Sequence, residues 1–280
     1  MREINAAEIT KTVRKLCIDA NYYLTDDVKN KIETYRDNEK WDTAKGILDK
    51  IIINYNIAKD EDRPICQDTG MACVFIDMGQ DVHVVGGSIE DAINEGVAQG
   101  YTDGYLRKSV VNDPIQRVNT KNNTPAVIYY NIVPGDKFKI TVAPKGFGSE
   151  NMSQLKMLKP ADGLDGVKEF ILKVVKDAGP NPCPPIVVGV GLGGTFDRAA
   201  NLAKKALLRN FEEKNPDPFY ADLEAEMLEK VNALGIGPQG FGGKTTALAV
   251  HIEHYPTHIA GLPVAVNINC HVARHASAEL

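Results

Sequence analysis

Three of the five cysteines sit in segments that hold the backbone out of regular helix or sheet: Arg63-Pro-Ile-Cys-Gln-Asp-Thr-Gly70, Asn181-Pro-Cys-Pro-Pro185 and Asn267-Ile-Asn-Cys-His-Val-Ala-Arg-His275. A thiol placed this way, at Cys66, Cys183 or Cys270, projects from a loop instead of filling a core slot. The other two differ. Cys17 lies on the apolar helical stripe Ile9, Val13, Leu16, Cys17, and Cys73 lies in the strand-like run Met71-Ala-Cys-Val-Phe-Ile76, so both are expected in the core. The loop cysteines are too far apart for Cys-x-x-Cys metal patterns, and only tertiary folding can gather them. Four thiolates close an iron–sulfur cluster, whereas three leave one iron open to bind water or a hydroxyl as a Lewis acid. Two other readings stand beside this one. Each cysteine can be a small buried hydrophobe, or His271 or His275 can complete a closed Cys3His zinc or electron-transfer site without catalysis.

Two glycine runs suggest other ligands. Gly189-Val-Gly-Leu-Gly-Gly194 fits Gly-x-Gly-x-x-Gly between a predicted strand and helix. The acidic strand end expected about twenty residues later is replaced by Phe211-Glu-Glu-Lys-Asn-Pro-Asp-Pro218, a helix end and proline turn. That argues against a dinucleotide and leaves the glycines to admit a compact ligand, an anion by preference, at a helix N-terminus. Gly240-Phe-Gly-Gly-Lys-Thr-Thr246 has proline where a phosphate-binding loop needs its first glycine and no strand before it, so it reads as a flexible loop near the site.

These segments need a scaffold. The first 60 residues carry helical periodicity, with cap chemistry at Thr25-Asp-Asp-Val28 and apolar positions Val28, Ile32 and Tyr35, then Ala44, Ile47, Leu48, Ile51 and Tyr55. Beyond Pro64 come short apolar runs expected as strands at 72–77, 81–85, 124–133, 137–142, 185–190, 247–254 and 264–269, with helices at 88–104, 164–178, 195–211 and 217–234. The order predicts an α/β (mixed α+β) fold in a single domain over 1–280, with a helical N-terminal cap at 1–60 and mixed β-sheets flanked by helices around the metal site. With 37 acidic against 32 basic residues and a net charge of -5 in 280 residues, the chain has no basic face for nucleic acid. Met1 to Thr10 lacks the apolar stretch of a signal peptide and no run reaches membrane-span length, which points to the cytoplasm.

Longer motifs carry a resemblance. Pro64-Ile-Cys-Gln-Asp-Thr-Gly70, Leu106-Arg-Lys-Ser-Val-Val111, Asp113-Pro-Ile-Gln-Arg117, Asn119-Thr-Lys-Asn-Asn-Thr-Pro-Ala126, Val133-Pro-Gly-Asp136, Lys145-Gly-Phe-Gly-Ser-Glu-Asn151 and Thr257-His-Ile-Ala-Gly-Leu-Pro263 resemble class I, iron–sulfur-dependent fumarate hydratase. The likeness runs from about residue 5 to the C-terminus and is to the alpha subunit of the two-subunit form, with the L-tartrate dehydratase alpha subunit as near neighbour. It implies a [4Fe-4S] cluster on Cys66, Cys183 and Cys270, with a labile fourth iron that binds substrate. Reversible hydration of fumarate to L-malate follows, with tartrate or a methylated dicarboxylate as alternative substrates.

The resemblance also implies roles. Such chemistry needs a Lewis acid on the hydroxyl, a base for a C–H proton and clamps on two carboxylates. Gln67 and Asp68 are similar to residues contacting substrate beside the cluster, with Asp68 taking or relaying a proton; its other reading is a turn residue bonding its own backbone. Arg107 resembles a carboxylate-binding arginine, otherwise a solvated helix-end residue. Gly148 resembles a glycine whose N–H meets substrate, and His258, twelve positions before Cys270, an active-site histidine. His251 and His254 are expected to decorate a strand. The implied partners are a small dicarboxylate and a beta subunit, in an α2β2 assembly formed around an alpha–alpha dimer.

Overall fold

The computed structural model describes residues 1–280. In chain order its elements are β1 (Arg2–Asn5), α1 (Ala6–Tyr22), α2 (Asp26–Asn38), α3 (Asp42–Asp60), β2 (Met71–Gly79), β3 (Val82–Val85), α4 (Ile89–Asp103), β4 (Val127–Val133), β5 (Phe138–Lys145), α5 (Phe147–Glu150), β6 (Gln154–Leu158), α6 (Gly163–Ala178), β7 (Ile186–Gly193), α7 (Phe196–Ala206), α8 (Pro218–Asn232), β8 (Ala247–Tyr255), β9 (Leu262–Asn269) and β10 (Ala276–Glu279). The fold is α+β with mixed sheets, as the sequence predicts. No helix is long and apolar enough to cross a membrane. α2 starts where the cap chemistry predicts, yet Thr25 Oγ1 makes no hydrogen bond. Asp26 and Asp27 in the first turn favour that helix end instead. Two compact units share the chain: Met1–Thr25, Asn54–Phe147 and Arg274–Leu280 in the first, Asp26–Ile53 and Gly148–Ala273 in the second.

In the first unit the sheet order is β10-β5-β2-β4, with β2 and β4 parallel and the other pairs antiparallel. α1 begins where Asn5 Oδ1 accepts the Ala7 N–H at 2.9 Å, and α4 where Ser88 Oγ accepts the Asp91 N–H at 3.3 Å. Their stripes, Ile9 and Val13 on α1 and Ile93 and Val97 on α4, pack with Val74, Ile76, Ile140 and Val142 of the sheet. The helices meet at Gly96 and Gly100, where an added Cβ would lie 2.7 Å from the Thr10 carbonyl oxygen and 2.8 Å from that of Arg14. Any side chain there would force them apart. Cys17 and Cys73 are buried here as expected, and burial pushes the Cys17 thiol well above its ordinary range.

The second unit has the order β6-β9-β7-β8, with β7 and β8 parallel and the other pairs antiparallel. β7 is buried along its whole length, as a central strand covered on both faces must be. On one face Val188, Val190, Val266 and Ile268 pack with Ile171 and Val174 of α6 and Met227 and Val231 of α8. On the other, α7 lies so close that a Cβ at Gly189 would be 2.2 Å from the Ala203 carbonyl oxygen, and one at Gly191 2.0 Å from that of Ala199. At Gly189 and Gly191, then, it is a helix and not a ligand that occupies the space the missing side chains leave.

His251 on β8 illustrates a buried base. It is 3% exposed, its Nδ1 lies 3.2 Å from the Ala206 carbonyl oxygen, and Phe211 packs edge-on against its ring. Burial first, then nearby Arg209 and Lys31 against the opposing Glu224, push its pKa down to about 4. The folded state therefore binds fewer protons than the unfolded state, and the stabilisation present above about pH 6.5 is lost as pH falls toward 4. We expect about 3 kcal/mol to vanish between pH 7 and pH 4 from this group. Urea denaturation at both pH values should show His251→Gln losing most of that slope, and a slope equal to wild type would relocate the acid sensitivity.

Candidate active site

Cys66, Gln67 and Asp68 lie in the connection between α3 and β2 of the first unit. The loop is held from every side. Asp68 Oδ1 accepts the Gly70 N–H at 3.1 Å, the local turn bond expected of Asp-Thr-Gly, and Oδ2 accepts the Phe147 N–H at 2.9 Å. The Asp68 N–H lies 3.4 Å from the Cys66 sulfur, whose thiol faces Gln67 Oε1 at the same distance. Buried Tyr101 donates to the Thr69 carbonyl at 2.7 Å, and buried Asn123 donates to the Gly70 carbonyl at 3.1 Å. Thr69 Oγ1 donates to the Arg107 carbonyl at 2.9 Å, tying that residue's backbone to the cysteine loop. Arg107 stands in the segment after α4 with its side chain exposed.

Arg274, which the sequence did not single out, completes this shell. It is 4% exposed, its Nη2 donates to the Asp68 carbonyl, and its Nε and Nη1 have no hydrogen-bond partner. A buried guanidinium left so poorly paired is costly. Its place four residues after Cys270 was visible, but its burial was not.

In the second unit Cys183 precedes β7 with φ 57° and is exposed, while Cys270 follows β9 and is half-buried. His271 joins their loops: its N–H and its Nδ1 lie 3.4 and 2.9 Å from the Cys183 carbonyl oxygen. The glycine segment predicted as flexible is pinned beside them, with the Gln239 N–H on the Pro184 carbonyl at 2.8 Å and the Lys244 N–H on Glu39 Oε2 at 2.9 Å. Gly148 is exposed on α5, and a Cβ there would meet only the Asn181 carbonyl oxygen, at 3.8 Å. Glu150 of the same turn accepts from Asn267 Nδ2 of β9 at 2.7 Å. His258, between β8 and β9, is exposed; its Nδ1 accepts the Ala260 N–H at 3.2 Å, so the neutral ring carries its proton on Nε2. It borders an open cleft of about 550 Å³ with Thr195, Arg198 and Tyr255, whose ring lies under the Arg198 guanidinium at 4.7 Å.

The predicted residues thus divide between the units, Cys66, Gln67, Asp68 and Arg107 on the first and Gly148, Cys183, His258 and Cys270 on the second. No three His, Cys, Asp or Glu side chains stand together as a metal-holding group. The donors themselves suit an iron–sulfur group: the three cysteines in loops are the exposed or half-buried ones, while Cys17 and Cys73 are buried.

Comparison with known proteins agrees along the whole chain. The sequence model of the fumarate hydratase (Fumerase) family matches residues 10–279. A Methanocaldococcus jannaschii protein provisionally named L(+)-tartrate dehydratase subunit alpha is 44% identical over 277 residues, covering 96% of this chain and 96% of that protein. The Escherichia coli K12 L(+)-tartrate dehydratase subunit alpha is 32% identical over 274 residues, covering 96% of this chain and 90% of its own length.

Proposed function

Because the chain belongs to the fumarate hydratase (Fumerase) family, we propose that it is the α subunit of an iron–sulfur hydro-lyase that hydrates fumarate reversibly to L-malate. The observation carrying this reading is the partition of the cysteines: two are buried in the core, and three sit in loops outside it, exposed or half-buried. Cys66, Cys183 and Cys270 would hold a [4Fe-4S] cluster. Bound there, the cluster supplies a Lewis acid for the substrate hydroxyl.

The chain's own groups do the rest. Arg107 offers an exposed planar fork for one carboxylate, and its backbone tie to Thr69 fixes that fork relative to the Cys66 loop. Nothing in the packing around Gly148 requires a glycine, which suits a role in which substrate approaches its N–H. Gln67, exposed next to Cys66, contacts substrate. Asp68, held by two backbone N–H groups, takes or relays a proton in one fixed orientation. His258 presents its Nε2–H to solvent-accessible space for proton transfer or for orienting the hydroxyl.

A second reading, L(+)-tartrate dehydration, is favoured by the names of the two relatives. The substrates differ by a hydroxyl that one or two pocket residues can read. The test is to produce the chain anaerobically with its β partner and compare kcat/KM for fumarate, malate and tartrate. Dominance of tartrate would replace the first reading with the second, and zinc without sulfide would remove both. In the same preparation Arg107→Lys should lower kcat/KM at least tenfold, about 1.4 kcal/mol, at unchanged iron and sulfide, because an ammonium cannot reproduce a two-pronged contact. Unchanged kinetics would take Arg107 out of the site.

A further inference from the structure

Asn267 on β9 is a buried carboxamide inside a strand, where asparagine is depleted. β9 turns Val264, Val266 and Ile268 into the core of the second unit, and by alternation Ala265 and Asn267 face α7. Asn267 stands directly opposite Gly189 of β7. The bare backbone at Gly189 admits α7 so closely that Lys204, the residue after Ala203, reaches the strand. Lys204 Nζ lies 3.3 Å from Asn267 Oδ1 and 2.5 Å from Glu150 Oε1, and Asn267 Nδ2 donates to Glu150 Oε2 at 2.7 Å. Ammonium, carboxylate and carboxamide thus close a ring of three contacts. Asn267 Nδ2 uses its second proton on Ser153 Oγ at 2.7 Å, which also accepts the Ile268 N–H at 3.0 Å. The Lys204 and Glu150 side chains are 15% and 26% exposed, so water competes little for these bonds.

The ring joins two segments of the proposed site. Gly148 precedes Glu150 by two residues in α5, and Cys270 follows Asn267 by three. A helical turn of four residues does not hold its own geometry, so the carboxylate that anchors it decides where the Gly148 N–H points. We propose that Glu150, Lys204 and Asn267 are positioning residues that fix the Gly148 N–H relative to the Cys270 loop, so that a substrate carboxylate finds that donor already in place. This rests on the role proposed above for Gly148, through which the three act without touching substrate.

Asn267→Asp sets two carboxylates face to face, and Glu150→Gln removes the carboxylate from the ring. The double variant exchanges the two groups and keeps a donor opposite an acceptor at every contact, with the Ser153 hydroxyl turning to donate. In holoenzyme assembled anaerobically with its β subunit, at normal iron and sulfide and well below the melting temperature, each single variant should raise KM for the preferred dicarboxylate at least tenfold with kcat little changed. The double variant should return KM to within about threefold of wild type. Hydrogen exchange, which needs no turnover, should show the amides of 148–153 exchanging about tenfold faster in each single variant and near the wild-type rate in the double. Lys205→Met, exposed on the same helix, should change neither measurement. Unchanged exchange in the single variants, unchanged KM, or a double variant no better than the singles, unfolding included, would each overturn the assignment. So would loss of iron and sulfide in the single variants, which would make the ring a support for Cys270 alone. Wild-type holoenzyme inactive on fumarate, malate and tartrate, with the exchange contrast intact, would overturn the proposed function and with it the ring's role in substrate binding.

Discussion

Serine at Cys66, Cys183 or Cys270, introduced singly, will leave anaerobically prepared protein colourless, depleted of iron and sulfide, and inactive on dicarboxylates, whereas serine at Cys17 or Cys73 will leave cluster content intact. The contrast follows from where the sulfurs stand. Cys17 is fully buried with its thiol pushed up by burial, and Cys73 is 5% exposed on β2; neither presents a thiolate. A hydroxyl there costs about 1–3 kcal/mol of stability as an unsatisfied buried polar group. The three loop cysteines have no such packing role, so their loss should show in metal content before it shows in melting temperature. Iron and sulfide quantification decides the matter. A full complement of both in any one of the three variants removes that cysteine from the ligand set.

What the sequence revealed of this fold is what local periodicity encodes. β2, β4, β5, β7, β8 and β9 and helices α4, α6 and α8 fall within a few residues of their expected places, because apolar alternation or helical spacing is strong in each. β1, β6 and β10 were not expected. They are short, four or five residues each, too short to show a period, and each exists through a partner: β1 on β3, β6 on β9, β10 on β5. The division into two interleaved units was hidden for the same reason, since pairing between distant segments leaves no periodic trace. Composition likewise placed the cysteines in loops, whereas the groups that brace those loops, Tyr101, Asn123 and Arg274, became visible only through burial and hydrogen bonds. In the glycine run at 189–194 the local pattern was real, and at Gly189 and Gly191 its cause is the close packing of α7.

Reconstituted without a partner, the chain will show negligible dicarboxylate hydration, and adding its β subunit will create the activity. A substrate with two carboxylates needs a clamp for each and a base on the face opposite the Lewis acid. Among the residues proposed for the site, Arg107 offers the one cationic side chain exposed to receive a carboxylate; Arg274 is buried against the Asp68 carbonyl. Asp68 already spends both carboxylate oxygens on backbone N–H groups, which suits a relay better than abstraction of a weakly acidic C–H proton. On the proposed function the second clamp and the base are therefore expected from a β subunit, in keeping with relatives that are themselves named as alpha subunits. Titrating purified β subunit into cluster-loaded chain and following malate formation measures the gain directly. Full turnover from the isolated chain would show that Asp68 and His258 suffice for proton transfer, and it would remove the need for a second subunit at the site.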